Sequence, residues 1–127
     1  MREILFRGKD IVTREWIEGF LVDKTHIGNW VIANPIYPDT VGQFTGLTDK
    51  NERKIFEGDI LKFHKFKGEP DWIGFVRYDI SMFVIEGEQP VDCGGFEVQL
   101  CSIDRKRCEI IGNIHDNPEL MEMQKKK

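Results

Sequence analysis

The sequence predicts a mainly β protein. Short apolar segments recur at close intervals, glycine, proline and Asn/Asp turns punctuate them, and no amphipathic stretch is long enough for a crossover helix. The expected architecture is a β-barrel with an SH3-like core around residues 40–85, further strands packed from both ends and a short C-terminal helix; α+β is the alternative class.

Ile4, Leu5 and Phe6 form the first apolar strand, and Gly8-Lys9-Asp10 supplies turn residues after it. From Trp16 to Val22 the residues alternate with period two and both faces carry apolar groups, which predicts a central strand. Asn29 to Ala33 predicts a third strand. Asn34-Pro35 and Tyr37-Pro38 end it, because proline has no amide to give to a ladder and constrains the residue before it, so Asn34 to Asp39 is expected as a loop. Val41 to Leu47 reads as extended, Thr48-Asp49-Lys50-Asn51 as a tight turn, and Lys54-Ile55-Phe56 as the return.

Glu57-Gly58-Asp59 is a second turn, followed by a strand from Ile60 to Phe66 with lysines interleaved and ended by Gly68-Glu69-Pro70-Asp71. Trp72 to Tyr78 and Met82 to Ile85 are two strands separated by a short polar break. Phe96, Val98 and Leu100 alternate with Glu97 and Gln99, the pattern of a half-buried strand. Asp104-Arg105-Lys106-Arg107 is a charged turn, and Cys108 to Ile114 is a last strand interrupted by Gly112. Asn117-Pro118-Glu119 resembles a helix start with proline at the first helical position, predicting a helix over Pro118 to Met123 and a frayed tail over 121–127.

At 127 residues one domain is expected, and about two-thirds of the extended chain's surface is buried on folding, so neither metal nor disulfide staples are needed. Eighteen basic against twenty-two acidic residues give a net charge of -4, the wrong sign for binding nucleic acid through bulk electrostatics. Met1-Arg2-Glu3 leads into no apolar signal core and no run reaches membrane-spanning length, so no membrane role is expected. Three cysteines without a close pair fit reduced thiols in a cytoplasm.

VGQFTGLTDKN, then KIFEGDILKF and later IIGNIHDNPEL, with FRGK and EWIEGFLV near the start, together resemble the YopX family of small bacteriophage and prophage proteins. The similarity runs from about Phe6 to Leu120; after Asp49-Lys50-Asn51, where the family often continues with glycine, this chain has Glu52-Arg53. The resemblance implies a phage-derived protein of the bacterial cytoplasm that self-associates, with no catalytic residues to carry over.

Four arrangements carry candidate chemistry. Cys93, Cys101, Cys108 and His115 have zinc-binding side chains, but seven, six and six residues intervene where structural zinc sites use pairs two to four apart; free thiols are the better reading and no metal is expected. Cys101, His115 and Asp116 have the side chains of a nucleophile, a base and an orienting group without local support for a catalytic site, so no enzyme is expected. Glu57 and Asp59 flank Gly58, which a turn explains without acid–base work: glycine supplies positive φ and the acid bonds nearby amides. Lys62, Lys65 and Lys67 interleave with Phe63, His64 and Phe66 as on a nucleic-acid stacking platform, which Arg105, Lys106 and Arg107 would extend; strand alternation, however, sets Lys62 and His64 opposite Phe63.

The expected function is that of a non-catalytic accessory protein, free of cofactors, which self-assembles into a homo-oligomer or meets a phage or host protein, because apolar side chains crowd both faces of its strands. The alternative is a nucleic-acid-binding module.

Overall fold

The computed structural model describes residues 5–28, 33–64, 71–88 and 95–121. Asn29 to Ile32, Lys65, Lys67, Cys93 and the tail from residue 122 lie outside them. Among the described residues eleven strands form two antiparallel sheets: Phe6–Lys9 (β1), Trp16–Asp23 (β2), His26–Gly28 (β3), Ala33–Pro35 (β4), Gly42–Thr48 (β5), Lys54–Phe56 (β6), Asp59–Phe63 (β7), Trp72–Asp79 (β8), Met82–Glu88 (β9), Gly95–Gln99 (β10) and Cys108–Asn113 (β11). One sheet has the order β4-β3-β2-β1-β5-β6, the other β10-β9-β8-β7-β11. The chain divides into two compact units, residues 1–46 and 47–127, so the boundary falls inside β5.

The mainly β class holds, and residues 119–121 begin the short C-terminal helix. The barrel does not close among the described residues. β5 pairs with β1, with Phe6 opposite Gln43, while β7, β8 and β9 pair with one another, so the segment expected to form one barrel is shared between two sheets.

In the first unit, Gly8 and Lys9 belong to β1 and the turn comes later. The Asp10 carboxylate accepts the amides of Val12 and Thr13 at 2.7 and 3.1 Å, which is how aspartate organises a reversal. β2 lies between β1 and β3, as its two-sided apolar pattern predicts. The expected loop at Asn34 and Pro35 is strand instead. Pro35 faces His26 on the sheet's edge, where its missing amide breaks no ladder. Ile27 and Ile36 are fully buried. In the β2–β3 turn, His26, the Thr25 amide and the Thr25 hydroxyl all approach one oxygen of Asp23 and pull its pKa down to about 2.

The second unit encloses the larger core: Ile55, Leu61, Phe63, Val76, Phe83, Ile85, Leu100 and Cys108. Alternation places Leu61 and Phe63 inward from β7 and Val76 inward from β8, and Val76 faces Ile85, which in turn faces Val98. Gly74 faces Gly87 across β8 and β9, and the rings of Phe63, Trp72 and Phe96 gather on that side, 4.8–6.0 Å apart in tilted and edge-on pairs. Around the expected turns, Gly58 has φ of +90° and the buried Asp59 carboxylate accepts the Phe56 amide at 2.8 Å, so this tripeptide is a turn as its composition predicts. Asp49, fully buried, accepts amides from Asn51, Arg53 and Ile110 at 2.9–3.0 Å. Burial alone would raise its pKa, but these three amides and the nearby Arg53 guanidinium bring it below the usual carboxylate value.

Candidate functional site

The pairing of β7 with β11 brings together residues distant in sequence. Cys108 lies opposite Phe63 and Glu109 opposite Lys62, and just beyond, the His64 amide donates to the Arg107 carbonyl at 3.4 Å. Arg105–Arg107 forms a single 3₁₀ turn because Asp104 caps it: its carboxylate accepts the Lys106 amide at 3.0 Å, and its carbonyl accepts the Arg107 amide at 2.9 Å. Lys50 is held at the same place by its own amide, which donates to the Cys108 carbonyl at 2.9 Å. The result is a cleft of about 240 Å³ lined by Lys50, Lys62, His64, Asp71, Lys106, Arg107, Cys108 and Glu109.

Among the described lining residues four cations, Lys50, Lys62, Lys106 and Arg107, stand against two carboxylates, Asp71 and Glu109, in a chain whose net charge is -4. One Glu109 oxygen serves two ammonium groups, Lys50 at 3.5 Å and Lys62 at 3.9 Å. Asp71 lies 3.4 Å from Nδ1 of His64. The pairs are half exposed, so they hold the groups near one another without fixing them rigidly.

Of the six basic residues expected at a nucleic-acid surface, Lys62, Lys106 and Arg107 line this cleft, Arg105 sits exposed in the same turn, and Lys65 and Lys67 lie outside the described residues. The ring of Phe63 is fully buried against Trp72 and Phe96, so it presents no stacking face to solvent. Lys50 escapes sequence reasoning because its neighbours mark only a turn.

Cys108 is buried in the core, and burial first, then the charges of Asp49 and Asp59, push its thiol up to about 12. Cys101 is exposed, with Gln99 Oε1 at 3.8 Å from its sulfur. His115 sits over Gly58, and Asp116 accepts a hydrogen bond from the Asn113 amide group at 3.3 Å. Among the described residues no group of three or more His, Cys, Asp or Glu is placed to hold a metal ion.

On the opposite side of the sheet from its core, Arg77 ties β8 to β9 and β10, bonding Glu86 at 2.8 Å and Glu97 at 2.6 Å, with Asp79 at 3.5 Å. At the tip of the same β8–β9 hairpin Tyr78, Ile80 and Met82 are exposed, Ile80 at 93%, and Ile80 has φ of +54°. A β-branched residue in that left-handed region is strained. In the first unit Phe20 and Val22 of β2 are also exposed. No helix of the described residues is long and apolar enough to cross a membrane.

Two antiparallel sheets, turns capped by buried aspartates and a basic cleft define a small, mainly β protein. The chain belongs to the YopX protein family, whose match spans residues 5–122. It is similar to the crystal structure of protein EF1440 from Enterococcus faecalis, with 27% identity, a TM-score of 0.57, and coverage of 95% of this chain and 99% of that one. No curated protein matches it.

Proposed function

We propose that this chain is a non-catalytic accessory protein of phage or prophage origin that works in the bacterial cytoplasm by assembling with copies of itself. The observation that carries the reading is the tip of the β8–β9 hairpin. Ile80 is almost wholly exposed and held at positive φ, where asparagine or glycine would be less strained, and Tyr78 and Met82 flank it with further apolar surface. Strain of that kind persists where the residue serves something other than the fold of the isolated chain. The edges add to it: β10 ends its sheet among the described residues, contains no proline, and offers a backbone ladder that a second copy can extend. A second copy is the simplest partner, since a self-complementary contact closes by two-fold symmetry. Light scattering after size exclusion tests this: a defined mass well above 14.8 kDa at micromolar concentration is expected, and a stable monomer overturns it.

A further inference from the structure

We infer that the cleft between the end of β7 and the start of β11 binds the phosphodiester backbone of nucleic acid without reading its sequence. Three observations carry this beyond self-assembly. First, the cations come from three separate places, Lys50 in the turn after β5, Lys62 on β7, and Lys106 and Arg107 in the 3₁₀ turn, and main-chain hydrogen bonds bring those places together rather than side-chain chance. Second, the described lining residues are basic although the chain is acidic, four cations to two carboxylates, so positive charge is concentrated locally. Third, Lys50 and Lys62 share a single oxygen of Glu109, which keeps two ammonium groups within one phosphate's reach of each other.

The chemistry fits phosphate in particular. Lysine ammonium groups supply compact charges for phosphate oxygens, and the arginine beside them carries the planar group that matches phosphate geometry. Because Phe63 is turned into the core, its ring is withdrawn from base stacking, and the cationic side chains of the cleft are suited to the backbone. The acidic cluster around Arg77 on the same sheet, with Asp79, Glu86 and Glu97, limits the path of a polyanion to the β7–β11 end. Binding is therefore weak, salt-sensitive and sequence-tolerant. Glu109 acts as an internal competitor: an incoming phosphate replaces its carboxylate on Lys50 and Lys62.

The test is fluorescence anisotropy of a labelled mixed-sequence single-stranded DNA of about 16 nucleotides, with a duplex of equal length alongside, titrated with the full chain at low and moderate salt. Saturable binding that weakens with salt is expected. Lys62→Glu with Arg107→Glu should weaken it at least about tenfold and reduce the salt slope by about 1–2, and Glu109→Gln should tighten it. The Glu109 variant guards against a fold defect in the charge reversal, because a damaged protein does not gain affinity. No binding at low salt, or binding unchanged in the double variant, overturns the assignment. So does equal competition by poly-aspartate at matched charge, which would give the cleft to an acidic protein segment. Light scattering of the same samples reports the oligomer separately, so this reading and the proposed self-assembly fail independently.

Discussion

Gly74 and Gly87 face each other across β8 and β9, with the Ile85 side chain packed close to Gly74 and the ring of Phe96 close to Gly87. A Cβ on Gly87 would collide with the Ile73 carbonyl and stand 3.1 Å from the ring of Phe96. Neither backbone can yield without shifting the hairpin, so Gly87→Ala should cost about 3 kcal/mol, the upper part of the range for overpacking. Gly95→Ala is the control. Its nearest neighbour would be the Gly87 carbonyl at 3.8 Å, so it should be neutral or stabilise by up to about 0.5 kcal/mol. Urea denaturation of both variants checks the contrast.

Asp49→Asn should destabilise by about 2–3 kcal/mol, because one of the two oxygens that accept amides becomes an NH₂ group facing the Ile110 amide. The pH dependence has a definite sign. The folded-state pKa of Asp49 lies below its unfolded value of about 3.9, so its contribution is complete above that value and is lost as pH falls through the folded one. The variant should therefore lose less stability than the native chain between neutral and strongly acid pH. Equal acid slopes in urea midpoints taken across that range would contradict the assignment.

Ile80→Asn should raise the stability of the chain by about 0.5–1 kcal/mol while lowering its tendency to associate, since asparagine tolerates positive φ and removes the exposed apolar tip. Thermal melting and light scattering read the two effects. A variant that gains stability and keeps its full assembled mass would show that the hairpin tip is not the contact.

Cys101 and Cys108 should separate cleanly with iodoacetamide at pH 8. With its thiol pushed up to about 12, Cys108 is thiolate only about once in ten thousand molecules and is enclosed by the core as well. Peptide mapping should find Cys101 modified and Cys108 intact until denaturant is added. Rapid labelling of Cys108 in the native protein would mean that β11 opens readily.

Much of the strand content is legible because the apolar pattern is local. Phe96 and Val98 alternate with Glu97 and Gln99, and Trp72 to Tyr78 carries aromatic and β-branched residues in a row, so both declare themselves within a few positions. Pro35 misleads, since proline usually marks a break and only the sheet order reveals that its strand is an edge. The barrel misleads for a related reason: β5 and β7 are close in sequence, and whether they pair depends on a competitor, β1, far upstream. The cleft is half legible. Lys62 and the Arg105 to Arg107 turn stand out as charge, but their meeting depends on the register of β7 with β11, and Lys50 joins them through a main-chain hydrogen bond that no local pattern encodes.

The bond from the Ile110 amide to the Asp49 carboxylate joins residues 61 positions apart. It therefore sets an order of events as the chain leaves the ribosome. Asp49 emerges early and stays hydrated, and its burial can be completed only when β11 arrives beside β7, after β8, β9 and β10 have been made. At about 5–20 residues per second that interval lasts several seconds. Until then the edge of β7 is open to other strands, and a chain cut short before Ile110 would keep an acidic group that opposes closure. A copy lacking β11 is therefore expected to be less stable, because its Asp49 carboxylate would keep the Asn51 and Arg53 amides but lose that of Ile110.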